Sequence, residues 1–210
     1  MTRVLLTGFE PFAGDAVNPS EEAVHLVESR WSGPEELITA VLPVTFAGAA
    51  ARMRELLAQH RPDVVVATGL AGGRSGIGVE RVAINLADAR IPDNAGFQPT
   101  DEPSVPGAPA AHFSTLPVKS AAHAVLASGT PAEVSYSAGT FVCNHTFFAL
   151  LDAAPEGVRA GFVHVPWSIE HAPQGAPALT ADAIARAVEI IVRVSLDAQV
   201  DEHRPGGTLH

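Results

Sequence analysis

The chain has 210 residues, enough for one well-filled core and short for two. Hydrophobic residues make up 47% and charged residues 17%, a composition typical of compact globular proteins rather than of disordered chains. Thirteen Lys and Arg against 23 Asp and Glu give a formal net charge of −10, with no basic stripe, which argues against nucleic acid as a partner.

The first twelve residues, MTRVLLTGFEPF, contain an apolar run of three residues, which is too short for a signal peptide. No stretch approaches the roughly 20 apolar residues of a membrane span. The single cysteine, Cys143, can form no intrachain disulfide, and a free thiol survives best in a reducing compartment. We therefore expect a cytoplasmic protein without membrane contact.

Short β-branched runs alternate along the chain with segments of helical period. Because these runs are continuously apolar, they indicate strands that are buried on both faces of a parallel sheet. The predicted strands cover 3–8, 38–44, 63–70 and 160–166. The predicted helices cover 19–29, 46–60, 118–128, 144–154 and 180–199. This order predicts a single α/β domain over 1–210, with a doubly wound, mostly parallel sheet and helices on both faces.

Two segments interrupt the alternation. Residues 71–91 open with a glycine-rich turn and continue as an alternating strand or hairpin, which predicts an antiparallel excursion that carries Glu80 and Asn85. Residues 92–117 contain six prolines and little periodicity, which predicts a long, ordered or partly mobile loop of the kind used as a lid or subunit contact. Residues 201–210 are expected to form a loosely held tail.

Cys143 immediately precedes the segment predicted as a helix from residue 144. Its sulfur is therefore expected near a helix N-terminus, where unpaired N–H groups and the helix dipole favour a thiolate over a thiol. Such a position suits a nucleophile. The alternative is a buried cysteine that acts as a small hydrophobic residue, as free cysteines commonly do.

Two further residues are candidates for acid–base chemistry. His164 lies near the end of the last predicted strand, where the ligand crevice of an open α/β sheet forms, so it could meet Cys143; the alternative is a core histidine bonded to backbone. Glu80 lies in an apolar, β-rich stretch, where an unpaired charge is costly. It either pairs with Arg81 or Arg90 on the sheet surface or holds an imidazole in the correct tautomer.

The turn GLAGGRSG invites comparison with phosphate-binding loops, because glycines let backbone N–H groups surround an anion. It matches neither G-x-G-x-x-G nor the Walker pattern with its lysine, so the evidence for nucleotide binding is weak. None of the nine histidines forms a spaced pair with another ligand that resembles a zinc site, and no metal is predicted.

The segment TGFEPFAGDAVNPS leaves the first predicted strand and places Phe9 and Phe12 in a loop at its carboxyl end. Ligand pockets form at such ends, although the two rings could also be satellites of the core. Asn18 precedes a helix that begins with proline, and helix capping is the default role for Asn at that position.

Five segments in order resemble the pyroglutamyl peptidase I family, also called pyrrolidone carboxyl peptidases, and the resemblance covers almost the whole chain. The segments are TGFEPFAGDAVNPS, GLAGGR, ERVAINLADARIPDN, SAGTFVCNH and GFVHVPW. The resemblance implies a cysteine exopeptidase, or omega peptidase, that removes the N-terminal pyroglutamyl residue from peptides through a thioester acyl-enzyme. It implies no metal or organic cofactor, and a homo-oligomer that is commonly a tetramer.

The resemblance also assigns residues to roles. The family's triad of cysteine, histidine and glutamate corresponds to Cys143, His164 and Glu80. Arg90 and the backbone N–H of Cys143 correspond to the groups that hold the developing oxyanion. The implied substrate pocket consists of Phe9, Phe12, Asn18, Leu70 and Phe141.

The chain departs from the family pattern at Leu70, where relatives often carry Gln, so one substrate hydrogen bond is missing from that side chain. The sequence also admits two alternative functions. One is a nucleoside phosphorylase- or hydrolase-like enzyme, since such enzymes share this phosphorylase/hydrolase-like α/β architecture and could use the glycine-rich turn for phosphate. The other is a catalytically inactive binder of pyroglutamyl peptides, which the retention of all three triad residues disfavours.

Overall fold

The computed structural model describes residues 1–198, 200–203 and 205, and within these residues the chain forms ten strands and five helices. The strands are β1 (Arg3–Phe9), β2 (Glu36–Leu42), β3 (Val64–Leu70), β4 (Ile77–Glu80), β5 (Val82–Ile84), β6 (Ala111–Phe113), β7 (Ala132–Ser135), β8 (Arg159–Val165), β9 (Trp167–Ser168) and β10 (Ala178–Leu179). The helices are α1 (Pro19–Arg30), α2 (Phe46–His60), α3 (Val118–Ala127), α4 (Val142–Ala153) and α5 (Ala181–Asp197). No helix in this part of the chain has both the length and the apolar character needed to cross a membrane.

Within the described ranges, six strands form the central sheet in the order β2-β1-β3-β8-β4-β7. Neighbouring strands are parallel except β4 and β8, which are antiparallel. The register places Gly69 of β3 and Gly78 of β4 on either side of His164 of β8. The predicted doubly wound, mostly parallel α/β fold is therefore confirmed, and the predicted antiparallel excursion corresponds to β4.

Helices cover both faces of the sheet. On β1, Val4 and Leu6 belong to the core cluster that contains buried residues of α1, α3 and α5. Leu5 belongs to the cluster on the other face, formed with α2 and α4. Successive side chains of a strand point to opposite faces, so a sheet covered on both sides requires the continuously apolar runs seen in the sequence.

The helix starts explain where the predicted boundaries succeed and fail. Asn18 caps α1, its Oδ1 accepting from the backbone N–H of Ser20 at 3.0 Å, as its position before Pro19 predicts. Helix α4 instead begins at Val142, two residues before the predicted start at 144, and has no side-chain cap. Cys143 therefore lies inside the first turn of α4 rather than in front of it.

The segment 92–117 is fixed by hydrogen bonds and contains β6, which pairs antiparallel with β5. The buried carboxylate of Asp93 accepts from the backbone N–H of Phe46 at 2.9 Å. Asn85 accepts from the backbone N–H of Val105 at 2.8 Å and donates to the Val105 carbonyl at 3.0 Å. The predicted proline-rich loop is thus ordered along its first half by two buried or half-buried amide and carboxylate side chains.

The end of the described chain is held against α3. The Asp201 carboxylate accepts from the backbone N–H groups of Lys119 and Ser120 at 3.1 and 2.9 Å. Helix α3 has no side-chain cap of its own, so Asp201 fills that role from the tail. The tail predicted from residue 201 thus contacts α3 through Asp201, and its residues 204 and 206–210 lie outside the described residues.

Candidate active site

The structure brings the predicted thiol, base and acid together from three elements. The Glu80 carboxylate, at the end of β4, lies 2.7 Å from Nδ1 of His164 on β8. His164 is paired in register with Gly69 on β3, and a Cβ atom added to Gly69 would lie 2.8 Å from Sγ of Cys143. The thiol therefore lies over Gly69 near the end of β3, the residue that is paired with His164.

Glu80 and His164 form a buried pair, in which 0% of Glu80 and 4% of His164 are exposed. An ionised carboxylate can only accept hydrogen bonds, so the proton is assigned to Nδ1 of His164. The other ring nitrogen, Nε2, then carries the lone pair, and in the described residues it has no hydrogen-bond partner. This tautomer leaves Nε2 available to accept a proton from Cys143.

Glu80 does not form the ion pair with Arg81 or Arg90 that the sequence offers as an alternative. Nη2 of Arg74, from the glycine-rich turn, lies 2.9 Å from Oε1 of Glu80. Arg81 instead lies over the ring of Phe113, at 5.3 Å from its centroid, and Arg90 is exposed. The surface pairing of Glu80 with Arg81 or Arg90 is therefore wrong, because Glu80 is fully buried and its cationic partner is Arg74 of the glycine-rich turn.

The surroundings of Cys143 favour the neutral thiol over the thiolate. Burial raises its pKa to about 12, and the negative charge of Glu80 contributes in the same direction. Desolvation thus outweighs the effect of the helix N-terminus, and the thiolate expected from the sequence position is not favoured here. A nucleophilic role for Cys143 would therefore need a base to take the thiol proton at the moment of attack, and His164 stays the predicted base.

A cavity of about 90 Å³ opens beside Cys143. All five residues predicted for the substrate pocket line it together with the thiol: Phe9, Phe12, Asn18, Leu70 and Phe141. The remaining lining residues, which sequence reasoning missed, are Asp15, Val17, Val44 and Val142. Asp15, Val17 and Val142 lie within the quoted motifs TGFEPFAGDAVNPS and SAGTFVCNH, whereas Val44 lies between β2 and α2, where no local signal indicates a pocket.

Aromatic rings form the wall of this cavity. The rings of Phe12 and Phe141 lie 5.2 Å apart between centroids, and Phe141 meets Phe46 edge-on at 5.3 Å. The Asn18 amide caps α1 and also donates from Nδ2 to the Glu10 carbonyl at 2.9 Å. Asn18 therefore shapes the loop that carries Phe12, and its direct contact with a substrate stays a prediction.

A larger open groove, of about 690 Å³, lies at the amino ends of β3 and β8. This is the opposite end of the strands from Cys143. The groove is lined by residues that include Arg54, Arg61 and Val158, and it contains none of the predicted site residues. The small aromatic cavity is the one that meets the thiol, so we take it as the candidate substrate pocket.

Of the two groups predicted to hold the oxyanion, the structure gives a suitable position to the backbone N–H of Cys143, whereas the described residues assign no such role to Arg90. The backbone N–H of Cys143 lies in the first turn of α4, where helix geometry offers no intrahelical acceptor and no side chain caps the turn. It is therefore free to face a carbonyl oxygen. Arg90 is exposed, and no hydrogen bond or ion pair engages its guanidinium among the described residues. The oxyanion role of Arg90 stays a prediction.

Comparison with known proteins identifies the class and then the family. The model of the pyroglutamyl peptidase family matches residues 2–198. A pyrrolidone-carboxylate peptidase of Clavibacter michiganensis is 50% identical over all of both chains, and one of Pectobacterium carotovorum is 46% identical over all of both chains. The crystal structure of pyroglutamyl peptidase I from Bacillus amyloliquefaciens matches with a TM-score of 0.93 and 42% identity, covering 97% of this chain and 99% of that one.

The pyrrolidone carboxyl peptidase from Thermococcus litoralis matches with a TM-score of 0.92 at 38% identity and covers 98% of this chain and 100% of that one. The fold and the site thus define an α/β peptidase. The chain belongs to the pyroglutamyl peptidase family, and the resemblance carried by the sequence motifs is confirmed. This membership argues against the nucleoside phosphorylase-like alternative, and the glycine-rich turn instead carries Arg74 to Glu80.

Proposed function

We propose that the protein hydrolyses the bond that follows an N-terminal pyroglutamyl residue of a peptide, by covalent catalysis through Cys143. One observation carries the proposal: the thiol lies between a buried Glu80–His164 pair and a small cavity walled by aromatic rings. The names of the relatives, pyrrolidone-carboxylate peptidases, support the substrate class.

In the proposed reaction, Nε2 of His164 takes the thiol proton as Sγ of Cys143 attacks the pyroglutamyl carbonyl carbon. Negative charge develops on the carbonyl oxygen, which the Cys143 backbone N–H and the Arg90 guanidinium are proposed to hold. The C–N bond then breaks, the peptide amine takes the proton from His164, and a thioester remains. Water that gives a proton to His164 attacks the thioester, which releases pyroglutamate and restores the thiol. No metal or organic cofactor enters these steps.

The cavity suits the pyroglutamyl ring because that ring is a neutral lactam with one N–H donor and one C=O acceptor. It is flat enough to lie against the faces of Phe12 and Phe141. A prolyl N-terminus has a similar ring but lacks the lactam carbonyl and carries a charge, which would be costly to bury against these walls. Asp15 is the one carboxylate among the described lining residues, and it is exposed, so it lies on the solvent side of the cavity.

The test compares kcat/KM for two fluorogenic amides, pyroglutamyl and prolyl, measured under reducing conditions. A site built to hydrogen-bond its substrate can reject an analogue without the group by about 10⁴-fold, and we expect a ratio approaching that value. Asp15→Asn should raise the ratio further if the carboxylate attracts the prolyl ammonium. A ratio below about ten in the parent protein would exclude the pyroglutamyl assignment.

Cys143→Ala provides the second arm of the test and distinguishes an enzyme from an inactive binder. It should reduce kcat by at least about 10³-fold, the scale observed when a nucleophile is removed, with an unchanged circular dichroism spectrum. Tight binding of a pyroglutamyl peptide by the parent protein without turnover would instead support the inactive-binder alternative.

We further propose that the protein is a cytoplasmic homo-oligomer, a tetramer, as the family resemblance implies. Exposed apolar side chains such as Leu126 and Ile169 are compatible with subunit contacts. Light scattering of the purified protein should give four times the chain mass, and a monomer at micromolar concentration would contradict this. A catalytic Cys143 would also require a reducing compartment, so activity should fall in oxidised glutathione and return with reductant.

A further inference from the structure

The proposed reaction leaves the charged side chain of the GLAGGR motif without a role. Nη2 of Arg74 donates to Oε1 of Glu80 at 2.9 Å and to Oγ of Ser135 at 2.8 Å, and it also contacts the Ser137 carbonyl at 3.2 Å. The Arg74 side chain is 22% exposed, whereas Glu133, 3.9 Å from Nη1, is 67% exposed. The guanidinium therefore faces inward, toward Glu80, rather than toward the surface carboxylate.

Two donors converge on a single oxygen of the buried acid. Oε1 of Glu80 accepts from Nδ1 of His164 at 2.7 Å and from Nη2 of Arg74 at 2.9 Å. Oε2 is buried and has no hydrogen-bond partner among the described residues. While His164 is neutral, Arg74 is thus the group in contact with Glu80 that can balance its charge.

We propose that Arg74 is a positioning residue of the catalytic apparatus: it keeps Glu80 ionised and so holds His164 in the tautomer that can deprotonate Cys143. A fully buried carboxylate without a counter-charge is costly, and it lowers that cost by taking a proton from solvent. A protonated Glu80 would donate to Nδ1 of His164, and the ring proton would then move to Nε2. In that tautomer Nε2 has no lone pair for the thiol proton.

The fold reserves the space that Arg74 needs. Gly78 is paired with His164 across β4 and β8, and a Cβ atom added to Gly78 would overlap Nη1 of Arg74. The φ angle of Gly78 is not in the left-handed region, so space rather than backbone conformation requires glycine there. The turn that carries Arg74 is closed by its own backbone N–H, which donates to the Ala71 carbonyl at 3.0 Å.

The first experiment rests on the proposed function and uses the pyroglutamyl amide. Arg74→Met should reduce kcat by about 10²-fold, less than the roughly 10⁴-fold loss that follows replacement of an orienting acid by its amide, and should change KM less than about threefold. Arg74→Lys, which keeps the charge but not the fork of donors, should recover part of kcat. The matched control is Arg81→Met, which removes the neighbouring arginine over Phe113 and should leave kcat unchanged.

The second experiment needs no substrate. Cys143 is the one cysteine of the chain, so mass spectrometry gives the rate at which iodoacetamide alkylates it. Arg74→Met and Gly78→Ala should both slow this alkylation by about tenfold at neutral pH, because both deprive His164 of a fixed tautomer. Gly78→Ala leaves Arg74 chemically intact, and it decides the question alone if Arg74→Met does not fold.

Parent-like kcat and alkylation in a folded Arg74→Met or Gly78→Ala protein would overturn the proposal. An equal loss in Arg81→Met would overturn it as well, since the effect would then be a general one of surface charge. If the parent protein fails to turn over the pyroglutamyl amide but Arg74→Met still slows alkylation, the proposed function fails while the role of Arg74 stands.

Discussion

Two regions meet at Cys143, and they are held in different ways. Behind the thiol, the half-buried Arg74 and the buried Glu80 and His164 form a charged network that is fixed by hydrogen bonds among the glycine-rich turn, β4 and β8. In front of it, Phe12 and Phe141 form an aromatic cavity that is fixed by the packing of a loop and a helix start. Directional bonds suit the chemical step and apolar walls suit recognition, so changes in the first region should act on kcat and changes in the second on KM.

The largest expected effect lies in the charged network. His164→Ala removes the base and should reduce kcat by about 10⁶-fold, whereas Glu80→Gln should reduce it by about 10⁴-fold, because the carboxylate orients the imidazole but does not itself transfer the proton. The measurement is steady-state kcat and KM for both variants with the pyroglutamyl amide. Parent-like activity of Glu80→Gln would assign Glu80 to a structural ion pair with Arg74, and the charged network would then have no role in kcat.

The next effect concerns the place where the two regions touch. A Cβ atom at Gly69 would lie 2.8 Å from Sγ of Cys143 and 2.9 Å from Cζ of Phe162, so Gly69→Ala should displace the thiol. A misplacement approaching 1 Å can cost about 10²-fold in rate, and we expect a loss of that order in kcat. Gly73→Ala is the matched control, since a Cβ there meets no atom within 4 Å. Equal activity of the two variants would show that the thiol tolerates the added methyl group.

A smaller effect appears in stability. The Cys143 thiol titrates near 9.0 in the unfolded chain, and burial raises its pKa to about 12 in the folded protein. The folded state therefore favours the protonated thiol, and its free energy of unfolding, relative to Cys143→Ala, should be constant below pH 9 and fall between about pH 9 and 12.

At pH 10.5 the relative loss should reach about 2 kcal/mol, from about 1.4 kcal/mol for each pH unit above the unfolded value. Urea unfolding of both proteins at several pH values, with reductant present, measures this difference, because all other titrating groups are shared. A difference that does not change with pH would mean that the thiol is not desolvated and that Glu80 exerts no field on it.

The smallest effect belongs to the aromatic region. Phe12→Ala removes one wall of the cavity and should raise KM by about tenfold with kcat within threefold, since ring contacts contribute about 0.5–1.5 kcal/mol beyond the burial of their area. Phe113→Ala, which removes an exposed ring that does not line the cavity, is the control. A fall in kcat without a change in KM would show that the ring positions the reacting carbonyl rather than binding the lactam.

Much of the fold could be predicted from local patterns. Continuous apolar runs marked β1, β2, β3 and β8, and Asn18 before Pro19 marked the start of α1. The start of α4 was placed too late because that turn has no capping side chain to mark it. Strand β7, a four-residue segment with a polar pattern, carried no signal that separated it from a loop.

The site shows the same limit. Cys143, His164 and Glu80 could be named because each stands at a motif of the resembled family. Arg74 could not, since its bond to Glu80 depends on a turn folding back over Gly78, and sequence spacing of six residues in a strand-turn segment predicts no contact. Neighbours such as Arg81 were closer in sequence, yet strand alternation sends that side chain to the opposite face.

The contact between Asp201 and α3 links the C-terminal segment to the side of the sheet that carries Glu80. Helix α3 packs on the edge strand β7 and on its neighbour β4, which carries Glu80. Removing residues beyond 198 would uncover the first N–H groups of α3, at a cost of about 1 kcal/mol for a lost cap. Affinity tags and fusion partners therefore belong after the Asp201 anchor, where they leave this brace and the strand behind it undisturbed.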